Sequence, residues 1–160
     1  MSIKVGDSIP AVTLHHLGDE GPTAIESSAI FAGKKVVLFA VPGAFTPTCS
    51  DAHLPGYVIN ADLIKAKGVD TIACVAVNDA FVMGAWGKMH NAEHIMMLAD
   101  GNAELAKALG VDLDLSGPGL GVRSDRYAMI VDDGVVTHFA REQPREFKVS
   151  SAEATLEALG

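Results

Sequence analysis

Apolar residues in this chain cluster into short continuous runs. Val36-Val37-Leu38-Phe39-Ala40-Val41, Thr71-Ile72-Ala73-Cys74-Val75-Ala76-Val77 and Ile95-Met96-Met97-Leu98 are each too short for a helix. The first two are also rich in β-branched residues, so these runs predict buried strands. Between the runs the period becomes helical. Leu54, Tyr57, Val58, Ala61 and Ile64 recur three or four residues apart, which predicts a helix from Cys49 to about Lys67, ended by Gly68. Pro55 sits inside that stretch and predicts a kink, or a break between a short first turn and a longer helix.

The remaining elements follow from punctuation. Asn78-Asp79 caps a helix over Ala80 to about Met89, and Asn102 caps Ala103 to Leu109, which Gly110 closes. Tyr127–Val131 and Val135–Phe139 flank Asp132-Asp133-Gly134, a strong hairpin signal. Ser150 or Ser151 caps a last helix over Ala152 to Leu159. Ala11 to Leu14 reads as a short edge strand. His15 to Ser28 reads as loop with room for one turn of helix, and Val111 to Gly121, with Gly117, Pro118, Gly119 and Gly121, as loop. The order β-α-β-α-β-α-β-β-α predicts an α/β fold in one domain over residues 1–160. Its central sheet is mixed: helices join parallel strands, and the late hairpin adds an antiparallel pair.

Charge and composition narrow the function. The formal net charge of −8 comes with no basic stripe, which speaks against nucleic-acid binding. No apolar run approaches the ~18–20 residues of a membrane helix. The opening MSIKVGDSIP has neither the apolar core of a secretion signal nor transit-peptide arginines, so the expected location is cytoplasmic. Cys49 and Cys74 are the only cysteines, a count that suits a reactive thiol better than a disulfide scaffold.

The reactive candidate lies in Pro42-Gly43-Ala44-Phe45-Thr46-Pro47-Thr48-Cys49-Ser50, just past the first buried strand. Pro42 and Gly43 stop the strand, and Pro47 suits a first helical turn, where its missing N–H is no loss. Cys49 therefore falls in the first turn, where unpaired N–H groups and the helix dipole favour a thiolate. Pro42 shapes the turn and shields the sulfur, and the Thr46 hydroxyl stands three residues before it. A guanidinium would complete the site by stabilising negative charge on sulfur and oxygen, and Arg123 and Arg126 are the candidates. Asp51 suits the dipole but opposes a thiolate, so its carboxylate is expected to point away. Cys49 and His53 stand four apart on one helix, but two further ligands at sensible spacing are missing, so no metal is expected. A cysteine hydrolase would leave the threonine–proline frame unexplained. The other five histidines, His15, His16 and His90 among them, read as surface residues.

In PGAFTPTCS (42–50), VAVNDAFVMGAW (75–86) and RSDRYAMIVDDG (123–134) the chain resembles the peroxiredoxin family, in its type II, peroxiredoxin-5-like branch. The resemblance implies a thioredoxin-like fold and the reduction of hydrogen peroxide and organic hydroperoxides by cysteine, without cofactor or metal. It implies Pro42, Thr46, Cys49 and an arginine as catalytic residues. The family arginine precedes an aromatic-small-Met strand, here Tyr127-Ala128-Met129, which selects Arg126 and leaves Arg123 as a supporting contact. Gly43, Phe45 and Leu120 are expected around the substrate pocket, with Phe45, Phe81 and Trp86 near a homodimer contact or simply in the core.

Cys74 has two open roles, a small hydrophobe inside a strand or a resolving thiol. Members of this branch that form an internal disulfide often use a more C-terminal cysteine, and none follows Cys74. That favours reduction of Cys49 by glutathione/glutaredoxin or thioredoxin. Two readings from other classes are a redox sensor that passes oxidation of Cys49 to a partner protein, and an inactive thioredoxin-like binding module. The complete Pro-Thr-Cys-Arg set speaks against the second.

Overall fold

The computed structural model describes residues 2–160. Its elements run β1 (Thr13–Gly18), β2 (Gly21–Glu26), α1 (Ser27–Phe31), β3 (Lys35–Ala40), a π-helical turn (Cys49–His53), α2 (Leu54–Ala66), β4 (Thr71–Ala76), α3 (Ala80–Met89), β5 (Met96–Ala99), α4 (Glu104–Leu109), β6 (Asp112–Leu115), β7 (Gly121–Ser124), β8 (Tyr127–Asp132), β9 (Val135–Arg141) and α5 (Ala152–Leu159). A seven-stranded mixed sheet has the order β2-β1-β5-β4-β3-β8-β9, and β6 and β7 form a separate antiparallel pair.

The continuous apolar runs are explained by burial on both sheet faces, because successive strand residues point to opposite sides. Val37, Phe39, Ile72, Cys74, Ala76, Ala128 and Ile130 face one core, which α2, α3 and α5 cover with Leu54, Tyr57, Ile64, Met83, Trp86 and Ala152. Val36, Leu38, Ala40, Ala73, Val75, Met129 and Val131 face the other core, under Ile30, Phe31, Leu105 and Leu109 of α1 and α4. β3 pairs in parallel with β4 and antiparallel with β8. The C-terminal end of this central strand therefore carries the candidate loop, beside the start of β8 and Arg126.

Two stretches expected to be loop are strand. Within 15–28, β1 and β2 form a tight hairpin with Gly18 opposite Gly21, so β1 is interior and β2 takes the sheet edge. Gly21 supplies the positive φ, +109°, that this turn requires. Polar residues hid the hairpin: every residue of its two strands except Leu14 is half-buried or exposed. Residues 111–121 hold β6, and β7 follows, pairing Asp112 with Ser124 through Leu115 with Gly121 around a glycine-rich turn.

The caps are mostly where polar residues predicted them. Asp79 accepts from Val82 N at 2.9 Å, and Ser151 from Ala154 N at 3.1 Å. The cap of α4 is not Asn102: the Asp100 carboxylate accepts from Leu105 N and Ala106 N at 3.1 and 2.9 Å. Next to Pro55 the helix changes type, a short first turn giving way to the longer α2. The π-helical turn runs directly into α2, with Leu54 N bonding back to Cys49 O and proline in the first turn of α2.

α5 is fastened to α2 by a buried hydroxyl pair. Tyr57 Oη lies 2.7 Å from Thr155 Oγ1 and donates to Ser150 O at 2.8 Å. Tyr57→Phe leaves Thr155 buried without this partner, so it is expected to lower unfolding free energy by ~1–3 kcal/mol. Urea denaturation checks this, and an unchanged midpoint at unchanged slope would show that the pair contributes nothing.

Candidate active site

The loop between β3 and the π-helical turn is held from several sides. Arg123 Nη1 donates to Pro42 O at 3.3 Å, and Ala44 N donates to Asn78 Oδ1 at 2.9 Å. A Cβ at Gly43 would lie 2.7 Å from Arg123 Nη1 and 3.2 Å from Thr46 Cγ2, so a side chain there would push the guanidinium off Pro42 O. Thr46 Oγ1 donates to Gly43 O at 2.6 Å. That bond uses the hydroxyl proton and leaves the oxygen lone pairs free to accept. Phe45 holds a left-handed backbone, φ +67°, a conformation that costs a non-glycine residue about 1–3 kcal/mol.

Helical structure starts at Pro47, and Cys49 lies in that first turn. Arg126 Nη2 donates to Cys49 Sγ at 3.1 Å, and Arg126 Nη1 lies 2.8 Å from His53 Nδ1. A guanidinium only donates, so His53 Nδ1 must accept. The proton of the neutral ring is then on Nε2, which donates to Ser150 O at 3.0 Å. His53 is fully buried, and burial, with the Arg126 charge beside it, lowers its pKa from 6.5 to about 3. The ring therefore stays neutral at any ordinary pH and fixes one arm of the guanidinium while the other meets sulfur.

Arg126 has further constraints. Phe147 lies under the guanidinium, 5.7 Å from its carbon to the ring centroid, and 4.9 Å from the His53 ring. The neighbouring Asp125 carboxylate is taken by Arg141, which donates through Nε at 2.8 Å and also through Nη2. That ion pair keeps the acidic neighbour from competing for Arg126. A cavity of about 320 Å³ opens alongside, lined by Pro42, Thr48, Arg126, Leu113, Leu115 and Phe147 among others.

Pro42, Gly43, Thr46, Cys49, Arg123 and Arg126 are brought into one site. Arg126 reaches the sulfur, while Arg123 binds the carbonyls of Pro42 and Leu120. Leu120 is 39% exposed, and Asp51 is exposed. Trp86 is not a surface residue: it is fully buried and donates to Ser50 Oγ at 2.9 Å, leaving Phe45 and Phe81 exposed. Cys74 is also fully buried, on the sheet face shared with Cys49, and burial pushes its thiol well above the usual range.

His53 is the residue whose use sequence reasoning missed, having weighed it only as half a metal site and set that aside. Its four-residue spacing from Cys49 instead lets the Arg126 guanidinium bridge the two. Among the described residues, no three His, Cys, Asp or Glu side chains gather into a metal-binding group.

The folded pKa of His53 is depressed, so the sign of its pH effect is fixed. The unfolded ring takes a proton near pH 6.5 and the folded ring only near 3. Its contribution is complete above pH 6.5 and is lost as pH falls toward 3. The stability gap between wild type and His53→Gln is thus expected to shrink between pH 7 and pH 4, by unfolding measurements across ~3 pH units. A gap that widens on acidification would contradict the buried neutral ring.

The Redoxin family model matches residues 4–156. The chain is 52% identical to peroxiredoxin-2E-2, chloroplastic, from Oryza sativa subsp. japonica, over 99% of this chain and 73% of that protein. It is 48% identical to peroxiredoxin-2B of Arabidopsis thaliana, over 98% of each. Among solved structures, reduced Prx3 of Vibrio vulnificus in complex with hydrogen peroxide superposes with a TM-score of 0.96 at 59% identity, over 99% of each chain. Peroxiredoxin 5 from Alvinella pompejana gives 0.87 at 40% identity, over 98% of this chain and 97% of that one. With a thioredoxin-like fold, a cysteine at a helix start and relatives of this kind, the chain belongs to the Redoxin family, as a type II peroxiredoxin and hence a thiol-dependent peroxidase.

Proposed function

We propose that the protein reduces hydrogen peroxide and organic hydroperoxides at Cys49, in antioxidant defence and cell redox homeostasis. The observation that carries this is the Arg126 guanidinium directed at Cys49 Sγ from 3.1 Å. A charge-assisted donor favours sulfur as thiolate and stands ready for the oxygen that becomes negative as the O–O bond breaks. Thr46 Oγ1, whose hydroxyl already donates to Gly43 O, accepts a hydrogen bond from the bound hydroperoxide. On this reading Pro42 shields the sulfur from water, in keeping with the full burial of Cys49.

The step balances as follows. The Cys49 thiolate attacks one peroxide oxygen and forms an S–O bond. The O–O bond breaks, the leaving oxygen departs as alkoxide or hydroxide and takes up a proton, and Cys49 becomes a sulfenic acid. A thiol then condenses with it, releasing water and giving a mixed disulfide, and a second thiol restores Cys49. Glutathione with glutaredoxin, or thioredoxin, fits this role. Cys74 serves packing, because a fully buried thiol held protonated is a poor attacking group.

The proposed assembly is a homodimer in the cytoplasm. Phe81 (61% exposed), Met89 (69%) and Phe45 (49%) support the dimer, as large apolar side chains on α3 and the active-site loop. 

Cys49→Ser is expected to abolish peroxide consumption, measured with glutathione plus glutaredoxin in one assay and thioredoxin with its reductase in another. One stoichiometric oxidation of wild type without turnover in either assay would favour the sensor reading. Arg126→Ala is expected to slow the first oxidation by ~100-fold or more, as for loss of an oxyanion donor, and Arg123→Ala far less. The reverse order in stopped-flow oxidation would assign the wrong arginine. Cys74→Ser is expected to leave glutaredoxin-supported turnover nearly intact, and loss of turnover would make Cys74 the resolving thiol.

A further inference from the structure

Glu142 is a carboxylate in an unusual setting. It lies just past β9 and is only 7% exposed. Among the described residues the ion pairs are Arg141–Asp125 and Lys148–Glu146, so no cation is paired with Glu142. One of its oxygens, Oε2, instead accepts from Lys148 N at 2.7 Å, Ser150 N at 2.8 Å and Ser150 Oγ at 2.7 Å. Its own N–H donates to Arg126 O at 2.9 Å. The side chain thus closes residues 143–149 into a loop and ties that loop to the arginine's main chain.

The loop so closed presents two groups to the site. Phe147 lies against both the His53 ring, tilted to it by 58°, and the Arg126 guanidinium. Ser150 turns its carbonyl to His53 Nε2 at 3.0 Å and to Tyr57 Oη at 2.8 Å. That carbonyl holds the His53 tautomer whose Nδ1 orients Arg126. A carboxylate suits the task better than a neutral acceptor, since charge-assisted hydrogen bonds are roughly twice as strong and one oxygen here serves several donors.

We propose that Glu142 is a positioning residue for the peroxidase reaction, acting through Ser150 and His53 on the Arg126 guanidinium that faces Cys49. The proposal rests on Cys49 and Arg126 being the reacting pair. Removing the carboxylate frees the loop, the Ser150 carbonyl loses its fixed place, and the guanidinium loses its aim at sulfur. Displacement of a catalytic group by about 1 Å can cost ~100-fold in rate.

The test is the second-order rate of Cys49 oxidation by hydrogen peroxide, followed by stopped flow through the single tryptophan, Trp86, which bonds Ser50 beside the reacting cysteine. Glu142→Ala is expected to slow oxidation by ~10-fold or more. Glu142→Gln, which keeps an acceptor of the same shape, is expected to restore most of the rate. The double variant His53→Ala/Glu142→Ala is expected to be no slower than His53→Ala alone within ~2-fold, because residues acting along one chain are not additive. A merely structural role would instead multiply the two losses, and that result, or wild-type speed in Glu142→Ala, overturns the proposal. Should Glu142→Ala fail to fold, Glu142→Asp decides: it keeps the charge but is one methylene short, so it must be slower than Glu142→Gln. Equal rates for the two overturn the proposal. Slow oxidation in wild type, or an Arg126→Ala variant as fast as wild type, would bring down the assignment of the reacting pair itself.

Discussion

One guanidinium bonded to two partners organises this molecule. Arg126 places one nitrogen on Cys49 Sγ and the other on His53 Nδ1, and each contact depends on the other. A rotating arginine would meet sulfur only part of the time. A protonated histidine would repel the guanidinium and lose its acceptor. Burial removes that second state, since the ring next to Arg126 titrates near 3. The polar cluster therefore holds neutral His53 as acceptor for one arm of the Arg126 guanidinium, while the other arm meets Cys49 Sγ.

The rest of the fold serves to bring these groups together from distant parts of the sequence. β3 and β8 are antiparallel neighbours, so the end of one strand and the start of the other lie side by side, with Ala40 opposite Tyr127. Cys49 arrives from the first and Arg126 from the second. The π-helical turn carries Cys49 and His53 on one short segment, in keeping with the tendency of such turns to occur at functional sites. The preceding loop is pre-organised by Thr46, Asn78 and Arg123, and it holds Phe45 in an uncommon backbone conformation. Strain of this kind persists only where surrounding bonds over-determine the chain.

Much of this was legible in the sequence for a physical reason. A short continuous apolar run suits the inside of a sheet covered on both faces, so β3, β4 and β5 could be read directly, and the Asp132-Asp133-Gly134 turn gave β8 and β9. Proline and glycine punctuation located the cysteine's helix start, whereas the choice of Arg126 over Arg123 came from the resemblance to the peroxiredoxin family. What escaped notice was polar or non-local. β1 and β2 carry too many half-exposed residues to look like strands, and β6 and β7 are short and interrupted by glycine. Asp100 caps α4 from outside the position where a cap is sought. His53 and Glu142 act through partners 73 and 8 residues away, contacts that no local spacing rule reports.

The central claim is that a neutral His53, protonated at Nε2, accepts from Arg126 and so aims it at Cys49. The most direct measurement is the ¹⁵N spectrum of the histidine rings in the labelled, reduced protein between pH 5 and pH 8. The account predicts one ring with the neutral Nε2–H signature, unchanged across that range and lost in His53→Gln. A His53 ring that gains a proton within the range, or that carries its proton on Nδ1, would contradict it.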